Sequence, residues 1–281
     1  MKEPFELQWL GGFSEQYMRR VRPGIDEFPW GTLRLDDYPP LLVDRARVSW
    51  TEAAFNEYCT AAAMADMIAA LLAAKAPIDL VCMAADFVTD EMLHVELTAR
   101  IAMELGGGAP YEIDFSALSP QPDPRLTPLQ QANELVVRVC CVGEAFSVPM
   151  LGGCRKSATH PLTHAVLDKI VRDEAPHGRF GWLYLDWIAE DLDDAERERL
   201  AAIALQTLWQ FQPYWQRLRS KVTNGVTTEG FLLSHVRELG WMEAQAYRVA
   251  AIDAVRGNIV VNLRKYGIPV DEAEVDRLLA V

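Results

Sequence analysis

Two short stretches of the chain carry residue types and spacing that can do chemistry. Asp90-Glu91-Met92-Leu93-His94 and Asp173-Glu174-Ala175-Pro176-His177 both read DExxH. On an α-helix, residues three apart differ by about 60° in direction and about 4.5 Å in rise, so each Glu and His points from one face at one place. A carboxylate and an imidazole so placed can hold one metal ion. Accidental histidines on solvated helix faces are the bland alternative, and the flanks argue against it. Phe87, Met92, Leu93 and Val95 surround the first motif, and Phe180, Trp182 and Leu183 the second. Unpaired carboxylates in such apolar surroundings are costly.

A second ion needs more carboxylates. Glu57 and Glu144 each lie about thirty residues ahead of a motif Glu, the distance that brings an antiparallel helical hairpin back to the same level. The two halves then repeat one pattern, Glu followed by DExxH. Glu52 and Asp66 fit the hairpin less well than Glu57, and Glu134, four residues before Arg138, is expected to make a surface ion pair instead. Four Glu and two neutral His match two divalent ions in charge and leave coordination positions open. Asp90 and Asp173 have a supporting task. A metal-bound histidine needs its other ring N–H held, and each Asp is placed to serve the histidine of the opposite motif if the two helices pack side by side.

These residues require long helices to position them, and the chain supplies Ala-, Leu- and Met-rich stretches from Ser49 onward. Helices are expected over about 51–75, 78–105, 128–150 (capped by Thr127, closed by Pro149 and Gly152-Gly153), 159 or 161 to 190, and 193 or 194 to 222 with a kink at Pro213. A further helix is expected over about 228–266, interrupted near Gly240 and Gly257, and a short acidic one over 271–279. The Pro-rich stretch 110–128 is long enough to cross the end of a bundle. Residues 1–48, rich in Pro, Gly and aromatics, read as an irregular arm to which no chemistry is assigned. The expectation is one all-α domain over 1–281: an arm (1–48), a four-helix metal-binding core (49–190) and accessory helices (191–281).

Composition narrows the partners. The 281 residues carry a formal net charge of −13, which disfavours a long phosphate-binding surface and hence nucleic acid. Five cysteines form no CxxC pair, so reduced structural thiols are expected. Acids near the N-terminus and the lack of an evident spanning segment point to a cytoplasmic protein with no membrane partner. His160 and His164, four apart at the start of a helix, are expected to cap or face solvent, and whether His235 reaches the site stays open.

The set Glu57, Glu91-x-x-His94, Glu144, Glu174-x-x-His177 resembles the ligands of the ferritin-like di-iron carboxylate proteins, which include O2-activating hydroxylases, arylamine N-oxygenases and the small subunits of ribonucleotide reductases. The resemblance covers about residues 50–190 and implies an antiparallel four-helix bundle with these six residues binding two Fe ions, with Mn or a mixed Mn/Fe pair also compatible with the ligands. It implies that Glu144 or Glu91 bridges the ions, and that O2 is a co-substrate. Two positions depart from the relatives: Ile170 stands where the N-oxygenases have an extra histidine, and Val148 where the hydroxylases have a threonine. The implied activity is that of a di-iron monooxygenase or oxidase acting on a small organic substrate by hydroxylation or N-oxygenation. Without a dinucleotide fingerprint or Fe–S cluster motif in the sequence, it would draw electrons from a reductase or ferredoxin partner or from the substrate. A homodimer is compatible with this class. The alternative is a ferroxidase or peroxide-scavenging protein of iron homeostasis, which the long C-terminal extension disfavours.

Overall fold

The computed structural model describes residues 2–280. Helix makes up 71% of the chain, so the all-α expectation holds. Strands are confined to two short pairs among the described residues: β1 (Glu3–Pro4) with β2 (Glu112–Ile113), and the hairpin β3 (Val222–Thr223) with β4 (Val226–Thr227).

After a short helix α1 (Gly12–Val21), the first long helix is α2 (Pro40–Ala73). It starts inside the stretch expected to be an irregular arm, because Pro40 occupies the first turn, where its missing N–H costs nothing and its fixed φ favours the helix. Helix α3 (Ile78–Glu104) follows after a short turn and ends where Gly106 and Gly107 take positive φ. The crossover then leads to α4 (Pro128–Val136), capped by Thr127 in a reciprocal capping box with Gln130. Next come a π-helical segment, Val137–Glu144, and α5 (Ala145–Ser157), together one unbroken helix. The expected stop at Pro149 and Gly152-Gly153 is therefore corrected. Pro149 has no N–H to give the Ala145 carbonyl one turn earlier, and the Asn258 side chain donates to that carbonyl instead, at 3.2 Å. Helices α6 (Pro161–Ile188) and α7 (Asp194–Gln216) complete the long set, with His160 and Asp193 as side-chain N-caps. The helix expected over 228–266 begins later, as α8 (Leu233–Glu238), and breaks near Gly240 as expected; α9 (Ala244–Asp253) then runs through Gly257 by way of a second π-helical segment (Ala254–Val260) into α10 (Val261–Lys265), and α11 (Glu272–Leu279) ends the described chain.

Helix α2 lies along α3, α3 against α6, α6 against α5 and the first π segment, and α4 against α2. The apolar side chains fall into two clusters. One is built from Met64, Met67, Phe87, Val136, Phe180 and Tyr184 with α7 and the C-terminal helices. The other holds Trp50, Leu93, Leu97, Leu162, Ile170 and Leu239 with Ile25 and Tyr38 of the arm. Along α2, α3 and α6 the candidate ligands sit between these clusters, so a polar layer separates two apolar ends. Two glycines permit close approaches. A Cβ at Gly240 (φ 99°) would meet Trp50 at 2.7 Å, and one at Gly181 would meet Cys141 Sγ at 2.7 Å, which lets α6 approach the π segment.

The helix 128–157 is long and apolar enough to cross a membrane by length and composition, contrary to the expectation of no such segment. More than half of its apolar window (56%) is buried in the protein, which accounts for its hydropathy. Glu134 is likewise buried instead of at the surface. It pairs with Arg138 at 3.1 Å and Arg199 at 2.7 Å. Asn133 links α6 to α7 in the same region, accepting from Tyr184 Oη (2.7 Å) and donating to Glu196 (2.8 Å). Replacing Asn133 by Leu leaves the buried Tyr184 hydroxyl without its partner and Glu196 with its Arg199 bonds alone, and a loss of about 1–3 kcal/mol is expected in urea unfolding. Burial alone would raise the Glu196 carboxyl, but Arg199 and Asn133 outweigh it and hold it below its ordinary value. Its stabilisation is therefore present above the ordinary carboxyl range and fades as pH falls through the lowered value. Glu196→Gln is accordingly expected to cost more at pH 7 than at pH 3 by the same assay.

Candidate metal centre

Each of four helical stretches contributes to one point. Glu57 comes from α2, Glu91 and His94 from α3, Glu174 and His177 from α6, and Glu144 from the last position of the π segment. The π register is visible in the Ala145 N–H, which reaches back five residues to the Cys140 carbonyl. Such a widened turn changes the direction of later side chains relative to an unbroken α-helix, and it recurs at functional positions. Ser147 Oγ, one turn on, donates to Glu144 Oε2 at 3.2 Å.

The six side chains form two overlapping quartets, Glu57, Glu91, His94 and Glu174 in one and Glu91, Glu144, Glu174 and His177 in the other, with the ligand atoms of each quartet within 4.8 Å of one another. Glu91 and Glu174 belong to both. Of the two residues that the resemblance offers as a bridge, Glu91 belongs to both quartets and Glu144 to one. Both imidazoles turn Nδ1 toward the carboxylates. His94 Nδ1 lies 3.1 Å from Glu174 Oε1, and His177 Nδ1 lies 2.9 Å from Glu174 Oε2 and 3.0 Å from Glu91 Oε1. The opposite ring nitrogens face the aspartates of the other motif: His94 Nε2 is 3.3 Å from Asp173 and His177 Nε2 3.6 Å from Asp90. A proton on Nε2 of each ring suits that arrangement and leaves the Nδ1 lone pair aimed inward.

The aspartates are themselves held. Lys169 Nζ is 2.6 Å from Asp173 Oδ1, and Arg22 Nε is 2.6 Å from Asp90 Oδ1. The second contact was not expected, because the arm had been assigned no chemistry. A pair between positions so distant in sequence leaves no local pattern to find.

Apolar rings close the layer, with the Phe87 ring centroid 4.0 Å from that of His177 and Phe180 packed edge-on to Phe87. Glu91, His94 and His177 have no exposed side-chain surface, while Glu57 keeps 14% and forms the solvent edge. Burial and the neighbouring carboxylates push the Glu57 and Glu144 carboxyls well above their ordinary value. Burial lowers the two imidazoles, but Asp173, Glu174 and Glu91 around His94, and Asp90, Glu174 and Glu91 around His177, raise them more, His177 to about 12. Glu174, between both rings, is held below its ordinary value despite burial.

Both oxygens of Glu91, Glu174 Oε2 and Nδ1 of both histidines are buried without a hydrogen-bond partner. Buried polar atoms are nearly always satisfied, and a cation among them would satisfy all five together. The donor set, carboxylate oxygen with imidazole nitrogen, suits first-row divalent ions. The buried Glu/His cluster can therefore hold metal and is compatible with a di-iron site.

The other histidines lie elsewhere. His160 Nδ1 accepts from the Leu162 N–H as a helix cap, His164 is exposed, and His235 stacks edge-on to Tyr38 at 5.4 Å, outside both quartets. All five cysteines are free. Comparison with known proteins finds no matching family model, no matching curated protein and no matching solved structure.

With raised carboxyls at Glu57 and Glu144 and raised imidazoles, the metal-free cluster binds more protons in the native protein than in the unfolded chain above the ordinary carboxyl range, with Glu174 acting oppositely. The cluster's contribution therefore falls as pH rises through these raised values. Metal binding displaces the same protons, so affinity rises with pH. Melting in the presence of chelator is expected to drop between pH 6 and pH 8. A divalent ion at about a hundred times its Kd should restore about 2.7 kcal/mol, and the restoration should vanish in His94→Ala/His177→Ala.

Proposed function

We propose that this chain is a ferritin-like dinuclear carboxylate protein, an O2-activating oxygenase or oxidase that acts on a small organic substrate. The observation that carries the reading is the pair of overlapping Glu/His quartets with unsatisfied inward atoms. Glu91 and Glu174 would be shared by two iron ions, with Glu57 and His94 completing one position and Glu144 and His177 the other. When bound, the pair supplies the redox chemistry by which O2 is reduced. Manganese in one or both positions fits the same ligands.

The chain's own residues do the rest. Four carboxylates balance two divalent charges, and one imidazole and three carboxylates within reach of each position leave room for an added oxygen ligand. Asp173 takes the Nε2–H of His94, and Asp90 faces Nε2 of His177 from 3.6 Å, an arrangement that favours the Nδ1 atoms facing the centre. Phe87 and Phe180 on one side and Leu93 and Ile170 on the other exclude bulk water, as a reactive oxidant requires. Glu57, the ligand with a solvent edge, marks where small molecules enter. Electrons come from a separate reductase or ferredoxin, or from the substrate.

Anaerobic loading with Fe2+ followed by O2 tests the proposal. Uptake of about one O2 per pair of ferrous ions is expected, with both irons retained and the rate reduced at least about tenfold in Glu144→Ala. Repeated uptake with excess Fe2+, accompanied by a growing mineral core, would make the protein a ferroxidase and sink the oxygenase assignment.

A further inference from the structure

The two histidines are supported unequally. Asp173, behind His94, is held by Lys169 of the same helix, one turn away. Asp90, behind His177, is held by Arg22, which lies beyond the end of α1 and outside the four ligand-bearing helical stretches. Arg22 also reaches Asp86 at 2.8 Å, one turn earlier on α3. The rest of the arm is clipped to α3 by charge as well. Arg19 forms a two-pronged pair with Glu96 (2.8 and 2.5 Å), Asp26 pairs with Arg100 at 3.0 Å, and the Gly31 N–H donates to Glu104 at 2.9 Å. Among the described residues α1 itself has no fully buried residue, and Met18 packs only partly buried against the second apolar cluster, so these polar contacts supply much of its attachment.

We propose that Arg22 is a positioning residue for one of the two metal positions: through Asp90 it orients His177, so the position built on His177 depends on this one guanidinium contact while the position built on His94 does not. This rests on the dinuclear reading above. His177 Nε2 is 3.6 Å from Asp90 Oδ2 and makes no hydrogen bond to it. Arg22 Nε binds the other oxygen, Oδ1, so the orientation of the whole carboxylate relative to the ring is set by the guanidinium. A two-pronged guanidinium spanning Asp86 and Asp90 fixes direction in a way a single ammonium does not. Residues behind a metal-bound histidine commonly change affinity by about 10–100-fold when removed, and one contact further out the lower end of that range is expected.

The test compares Arg22→Met, Arg22→Lys and Arg19→Met, the last loosening the arm without touching Asp90. Anaerobic Co2+ titration, read by visible absorption and bound metal per chain, should show one of two ions weakened about tenfold in Arg22→Met. Partial recovery is expected in Arg22→Lys, with both ions near wild type in Arg19→Met. In the metal-free proteins, long-range imidazole 1H–15N spectra should show the His177 nitrogens moved by Arg22→Met and those of His94 unmoved. Equal weakening in Arg22→Met and Arg19→Met, or His177 resonances unaltered in Arg22→Met, would overturn the inference. Failure of the dinuclear reading shows separately, as a wild-type protein that binds no Co2+, and the imidazole spectra decide the role of Arg22 in that case as well.

Discussion

Four carboxylates and two imidazoles packed within a few ångströms, between two apolar clusters, set the terms for everything around them. Burying one unpaired charge is costly, and burying several of the same sign is worse. Without metal the layer can only compromise by sharing protons: Glu57 and Glu144 hold theirs, the imidazoles take extra ones, and Glu174 stays ionised between them. That compromise leaves five inward atoms unbonded. Two divalent cations would relieve the repulsion and the missing bonds together, which is why the layer reads as a binding site and not as a structural salt-bridge cluster.

The surrounding helices are adapted to bring these groups so close. Gly181 lets α6 approach the π segment, and the π register at 137–144 delivers Glu144 at its end. The irregular helix around Pro149 is then secured from outside, by Asn258 on a second π segment. The C-terminal helices thus act partly as a brace for the ligand helix, and the arm braces α3 from the opposite direction through Arg22 and Arg19.

Much of the centre was legible because it depends on local periodicity. The doubled DExxH pattern and the hairpin spacing to Glu57 and Glu144 follow from helix geometry alone, and the structure brings all six residues together. What escaped detection depends on distant partners. The start of α2 was hidden because Pro40 looked like a breaker in a Pro-rich stretch, although at the first turn it favours helix. Pro149 and the glycines after it looked like a stop because the donor that replaces the lost N–H lies more than a hundred residues away, at Asn258. A π register has no residue signature of its own, and the ion pair of Arg22 with Asp90 links segments whose proximity only the folded chain creates.

Anomalous diffraction at the iron edge, from crystals of the Fe2+-loaded protein, tests the central claim most directly. Two peaks are predicted, about 3.5–4 Å apart, one beside His94 and Glu57 and the other beside His177 and Glu144, with Glu91 and Glu174 reaching both. A single peak, or none at the polar layer, would contradict the account.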